Sequence, residues 1–164
     1  MYSPMKKEIV SILVKNQAND MTRVVSMFGR RGFNIDSLTV SATNDEELSR
    51  ITIVFSTNAH SLHQIITQTQ KLESVVDVFI LNRENSLYRE LLLIRVRANT
   101  PQDRTSIKEI VDIYRGKIVD FSFDSVIIEI TGRPEKLNGF MELMEAFEVM
   151  EVCRTGITGI ESNR

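Results

Sequence analysis

The sequence predicts an α+β chain built from two tandem βαββαβ units. Three observations carry that expectation. Short apolar strands and amphipathic helices follow one another in the same order twice along the 164 residues. Each half ends its first helix at a glycine placed just past the last apolar position. A polar, charged stretch at residues 82–89 separates the halves as a linker would. The apolar share of 42% and the charged share of 26% are those of a globular chain.

In the first half, residues 9–14 are a nearly continuous apolar run rich in β-branched side chains, which reads as a buried strand. A polar loop over residues 15–20 follows, with Asn19 or Asp20 as a natural N-cap. Met21, Val24, Val25 and Phe28 then share one helical stripe. Gly32 supplies a left-handed helix end, and Arg30 and Arg31 sit against the negative end of the helix dipole. Asn34, between Phe33 and Ile35, either caps the turn or reaches a ligand. The second strand covers residues 35–42, and a change of parity between Ile35 and Leu38 signals a bulge. After a polar turn at residues 43–47, Ile51, Ile53 and Phe55 alternate as a third strand. Ser61 with Gln64 has the spacing of a capping box for a helix bearing Leu62, Ile65, Ile66, Thr69 and Leu72. Val76, Val78 and Ile80 alternate as the fourth strand.

The second half repeats the order. Residues 91–96 form an apolar strand, and Thr100, Pro101 and Asp103 offer an N-cap, a first-position proline and a first-turn acid. Ile107, Ile110, Val111 and Tyr114 make the helical stripe, which Gly116 is expected to end. Residues 118–123 and 126–130 read as strands meeting near Asp124 and Ser125. A helix with Leu137, Phe140, Met141 and Met144 leads to a last strand at residues 149–153. The predicted domains are therefore residues 7–81 and 90–164, joined by 82–89. Each is ferredoxin-like, an antiparallel sheet with both helices on one face. A domain of about 75 residues buries a limited core and leaves an edge strand to cover, so self-association is expected.

The net charge of -2 disfavours a nucleic-acid partner. Apolar runs such as residues 91–94 are too short to span a bilayer. The opening residues 1–8 lack the apolar core of a signal peptide, and a single cysteine suits a reducing compartment, so a soluble cytoplasmic chain is expected. His60 and His63 stand at i, i+3 without a further ligand at metal spacing, and read as solvated surface residues. Cys153, in an apolar strand, reads as a buried inert thiol. The acids Asp45, Glu46 and Glu47 read as an exposed turn. No phosphate loop, nucleophile elbow or zinc-protease helix occurs, and no catalytic set is credible. What remains is Asn16, Asn19, Asp20 and Asn34. A helix N-terminus beside asparagine side chains can hold both the carboxylate and the ammonium of an amino acid. Asparagines that only form turns and caps explain the same residues.

Residues 23–40 (RVVSMFGRRGFNIDSLTV), which contain Arg30-Arg31-Gly32-Phe33-Asn34-Ile35, resemble the ACT domain of the small regulatory subunits of acetolactate synthase (acetohydroxyacid synthase). Residues 48–53 resemble the next segment of that family, and residues 89–94, 114–120 and 154–157 resemble its C-terminal domain. The resemblance implies a non-catalytic chain with no cofactor of its own. Its partner would be a large subunit that carries thiamine diphosphate, Mg²⁺ and FAD and condenses pyruvate with pyruvate or 2-oxobutyrate. It further implies activation of that subunit, feedback inhibition by valine, and a homodimer paired through the edges of the ACT domains with the effector at the interface. The matching effector positions are Asn16, Asn19, Asp20, Met21, Asn34 and Ile35. Asn34 would reach in from across the dimer, Asn16 would contact the effector at the end of the first strand, and the Met21 and Ile35 backbones would donate N–H groups. Asn19 stands where the family usually has glycine, Asp20 where it has a small apolar residue, and Ser41 where alanine is common. Asp20 would compete with an effector carboxylate for the helix N–H groups and repel it, so a weakened response to valine is expected. Two other readings are a free-standing amino-acid-sensing ACT protein with no catalytic partner and a small enzyme on the same scaffold. The first is disfavoured by the C-terminal resemblance and the second by the missing catalytic set.

Overall fold

A computed structural model describes residues 4–162, so the first three residues of the N-terminal stretch and the last two of the predicted second domain lie outside the described part. The chain divides into two compact units. The first runs to Tyr88 and takes up the chain again at Ile157, and the second is Arg89–Gly156.

The first unit contains β1 (Lys6–Lys15), α1 (Ala18–Arg30), β2 (Ile35–Ala42), β3 (Leu48–Thr57), α2 (Ala59–Gln70) and β4 (Val75–Leu81). Its antiparallel sheet has the order β2-β3-β1-β4, with β2 as an edge. Alternation in the strands and the 3.6-residue period in the helices put one core between sheet and helices. Val10, Ile12, Val14, Ile51, Ile53 and Phe55 of the sheet bury against Val24 and Phe28 of α1 and Ile65 of α2. Phe55 lies 5.2 Å from both Phe28 and Phe33, ring centre to ring centre, and edge-to-face contact at these spacings adds to the area buried. The parity change expected between Ile35 and Leu38 is a bulge: Asp36 is the extra residue between Ile35, opposite Phe55, and Ser37, opposite Val54.

The second unit repeats this plan with β5 (Ser86–Arg97, whose first three residues belong to the first unit), α3 (Pro101–Ile113), β6 (Lys117–Phe121), β7 (Ser125–Gly132), α4 (Pro134–Met144) and β8 (Val149–Arg154), in the sheet order β6-β7-β5-β8. Leu92, Ile94, Val96, Ile128, Ile130, Ile107, Val111 and Phe140 form its core. Two tandem βαββαβ units are thus present, as the sequence predicts.

Several local expectations are corrected. The N-cap of α1 is Gln17, not Asn19 or Asp20, and it makes no side-chain cap. Asn58 caps α2, accepting from the Ser61 N–H at 2.9 Å, in place of a Ser61–Gln64 box. Residues 86–89 of the expected linker are the start of β5, while Asn82 and Asn85 close a turn before it. A ninth strand, β9 (Thr158–Glu161), pairs with β5 and has no counterpart in the sequence-derived order. Gly159 lies so close to Tyr88 and the Leu87 carbonyl that a Cβ there would come within 2.8 Å of the Tyr88 Cβ. Cys153 is exposed, on the sheet face that carries no helix. Opposite it in β5 stands Leu93, whose neighbours Leu92 and Ile94 are the ones that face the core.

Both first helices end in the same hydrogen-bonded turn, in which the second residue beyond the C-cap bonds back to the third helical residue from the end. In α1 the Phe33 N–H donates to the Phe28 carbonyl and Gly32 N–H to Gly29, with Gly32 at φ +75°. In α3 the Gly116 N–H donates to Val111 and Arg115 N–H to Asp112, but the left-handed residue is Arg115, at φ +55°. Gly116 does not supply that conformation. It sits where a Cβ would meet the Glu129 carbonyl at 3.2 Å and Val111 at 3.3 Å.

Candidate functional site

The loop from β1 into α1 is held to the β2–β3 turn by Asn16. Its backbone N–H donates to the Glu47 carbonyl at 2.7 Å, its side-chain amide donates to the Glu46 carbonyl, and its Oδ1 accepts from Ser49 Oγ, both at 3.1 Å. Asn16 therefore fixes the loop first, and offers a ligand only the remaining N–H and lone pair of its amide.

The first-turn donors of α1 follow from its start. Gln17 N–H donates to the Lys15 carbonyl and Asp20 N–H to the Gln17 carbonyl. Met21 is the fourth helical residue, and its N–H is the first that an α-helix commits internally. The helix start thus presents the N–H groups of Ala18 and Asn19, three and two positions before the donor assigned to Met21. Asn19 is exposed, whereas the Asp20 side chain is buried within the same turn, at 7% exposure. A carboxylate there occupies the positive end of the dipole itself.

Asn34 and Ile35 stand at the other end of the unit. β2 begins opposite Phe55, near the end of β3, and finishes opposite Ser49, beside Asn16. The 13 residues of α1 separate the two groups by roughly 20 Å at 1.5 Å per residue. One copy of the unit therefore does not bring Asn34 to Asn16, Asn19 and Asp20. Asn34 is exposed, at the head of an edge strand on which Leu38 and Val40 are 40% and 45% exposed. These two face the helix side, since they stand opposite the buried Ile53 and Ile51.

A second pair of units with this plan exists among solved proteins. The crystal structure of the acetolactate synthase small subunit from Thermotoga maritima superposes with a TM-score of 0.86 at 38% identity, covering 97% of this chain and 99% of that one. The model for the AHAS small subunit-like ACT domain matches residues 10–77, and that for the small subunit of acetolactate synthase matches residues 89–163. The chain belongs to the acetolactate synthase small-subunit family. Relatives in that family include the small subunit of Mycolicibacterium smegmatis, 41% identical over 92% of this chain and 88% of its own length. The probable small subunit of Archaeoglobus fulgidus is 43% identical over 92% and 93%. As a member with an ACT domain, the chain has a regulatory role in branched-chain amino acid biosynthesis.

The other residues singled out in the sequence do not gather into a site. His60 and His63 are both exposed near the start of α2, His60 within 3.1 Å of Gln64. Among the described residues no three His, Cys, Asp or Glu side chains are grouped to hold a metal, and no helix is long and apolar enough to cross a membrane. What sequence reasoning missed is the donor pair at Ala18 and Asn19. The signal for it was the absence of a good capping residue at position 17.

Proposed function

We propose that this chain is the effector-sensing subunit of acetolactate synthase, one that activates the large catalytic subunit and transmits inhibition by valine. Thiamine diphosphate, Mg²⁺ and FAD belong to the large subunit in this reading, and the reaction takes place there in the cytoplasm. The observation that carries it is the split site of the first unit. Uncapped N–H donors at one end of α1 can bind an amino-acid carboxylate, while exposed Asn34 lies about 20 Å away, and β2 between them is the edge strand of its sheet. Antiparallel pairing of β2 with β2 of a second copy reverses one strand against the other. Asn34 and Ile35 of one copy then lie at the Ala42 end of its partner, beside Asn16, Ala18 and Asn19. Exposed Leu38 and Val40 supply the apolar contact for that pairing. Two symmetric sites per dimer result, and an effector that binds them favours one dimer arrangement by its differential affinity.

Asp20 sets the strength of the response. Its carboxylate lies in the turn where the effector's own would dock, so wild-type affinity for valine is low. Calorimetric titration of valine into the purified chain tests this. Asp20→Ala, with Asn19→Gly, is expected to tighten binding at least about tenfold, or ~1.4 kcal/mol. Asn34→Ala in that background should abolish binding with the thermal melt unchanged. Micromolar valine binding by the wild-type chain would refute the weakened site. Co-expression with a large subunit tests the rest, since a pair that neither co-purifies nor exceeds the activity of the large subunit alone leaves a free-standing sensor.

A further inference from the structure

The second unit has an edge better furnished for contact than its equivalent in the first. β6 is the outermost strand of its sheet, and all its residues are exposed. Ile118, Val119 and Phe121 are 36%, 50% and 59% exposed, and Phe123 in the next turn is 93% exposed. The register with β7 sorts these side chains by face. Ile118 stands opposite Ile128 and Phe121 opposite Val126, both buried in the core, so these two lie on the helix side. Lys117 stands opposite Glu129 and Asp120 opposite Ile127, on the other side, with Val119 as the extra residue of a bulge. The edge thus carries one cation and one anion on the same face. Neither is in an ion pair among the described residues. The opposite edge, β8, is different: Arg154 is taken up by Glu90 and Asn138, and Glu151 faces Arg95 at 4.0 Å.

We infer that β6 is a self-pairing edge whose occupant is β6 of a second copy, added antiparallel about a two-fold axis between Ile118 and Val119. In that register Lys117 of each copy stands opposite Asp120 of the other, giving two ion pairs by symmetry. Directly opposed residues must share a face, and these two already do. Ile118 of each copy then stands opposite Val119 of the other, and Phe121 lies diagonal to Ile118 of the other copy on the helix side, covering apolar surface that a solvated edge would leave open. The bulge at Val119 fixes the register and disfavours other strands. This pairing is independent of the effector reading, which concerns β2.

Hydrogen exchange on the full chain, followed over a concentration series with the amides of the interior strand β1 as internal reference, tests it. The β6 N–H groups that point away from β7 should be protected at high concentration and lose protection on dilution. Lys117→Asp sets two carboxylates opposite each other at each pair and should raise the concentration for half-protection about tenfold. The double variant Lys117→Asp with Asp120→Lys should restore it, and neither variant should alter β2. Exchange of β6 at open-edge rates at every concentration would overturn the inference. So would indifference to Lys117→Asp, or failure of the double variant to restore protection. Protection that appears only when the large subunit is added would assign the edge to that subunit instead. Loss of valine binding with β6 still protected removes the effector reading and leaves this one standing.

Discussion

Helices α1 and α3 hold the same place in their units, and the shift that carries Ala18 to Pro101 also carries Gly32 to Arg115 and Ile35 to Ile118. Their starts are nevertheless built to opposite ends. In α3, Thr100 accepts from the Asp103 N–H at 3.1 Å and Asp103 accepts from the Thr100 N–H at 3.2 Å, while Pro101 has no N–H to satisfy. Three of the four donors that a helix start leaves open are thereby removed. In α1 the corresponding residues are Gln17 and Ala18, and no side chain caps the turn. Asp20, the counterpart of Asp103, lacks the hydroxyl partner that would make it half of a box. The comparison separates two uses of one architecture. The second unit spends its helix end on its own stability, and the first keeps donors free at the place where the family binds its effector in our proposal.

The difference extends to the charges. Glu90, at 7% exposure, receives Arg154 through two guanidinium nitrogens, and Arg154 also reaches Asn138 Oδ1 at 2.8 Å. This ties β5 and β8 to α4. Arg97 likewise grips Glu148 at 2.7 Å and Asp124 at 3.2 Å, joining the end of β5 to two loops. The hydrogen bond to Glu148, with its charge, raises the pKa of the Arg97 guanidinium, which stays charged at any pH the fold survives. In the first unit the Lys7–Asp36 pair at 3.3 Å is exposed, and pairs of that kind contribute little.

The largest effect expected from breaking this contrast is at Glu90. Glu90→Ala leaves Arg154 without its buried partner and should lower the urea stability of the second unit by about 2–4 kcal/mol. Valine binding by the first unit should be unchanged, and a parallel loss would show that the units do not divide their roles. Next comes sealing α1 in the manner of α3. Gln17→Thr with Ala18→Pro creates the capping pair with Asp20 and removes one donor. The first unit should gain about 1 kcal/mol in a thermal or urea melt. Valine binding, measured in the Asn19→Gly, Asp20→Ala background with only Ala18→Pro added, should fall. Unaltered binding there would mean that the Ala18 N–H is not a ligand donor. The smallest effect concerns the helix ends. Arg115→Gly should stabilise the second unit by about 0.5–1 kcal/mol, because an arginine at positive φ is strained where glycine is not. Gly32→Ala should destabilise the first by about 1 kcal/mol for the same reason. Equal and negligible changes at both would refute the strain at Arg115.

Much of the fold was legible in residue spacing, because alternation and the 3.6-residue period are local consequences of backbone geometry. Residues 35–42 appear as β2 with those bounds, the bulge at Asp36 was visible as a parity change, and Thr100, Pro101 and Asp103 form the cap that their order implies. The local rules failed where several residues compete for one role. Asn19 and Asp20 are good N-caps by type, yet α1 starts at Ala18. The tie of Asn16 to Glu46, Glu47 and Ser49, 30 to 33 positions along the chain, fixes where β1 stops. Gly116 is a good helix end by type, yet the close approach of β7 claims it and hands the left-handed residue to Arg115.

By itself the sequence determined the element types, the duplication and the family, since these rest on local periodicity and on motifs that survive as strings. Tertiary structure alone decided the rest. It put Cys153 on the helix-free face, returned β9 to β5, and made β2 and β6 the edges. It also set Asn34 at the far end of α1 from Asn16, so that the effector site we propose needs two copies. Each of these depends on which strands become neighbours. That choice is made by burial of both sheets against their helices, a free energy summed over residues far apart in the chain, and no short window of sequence carries it.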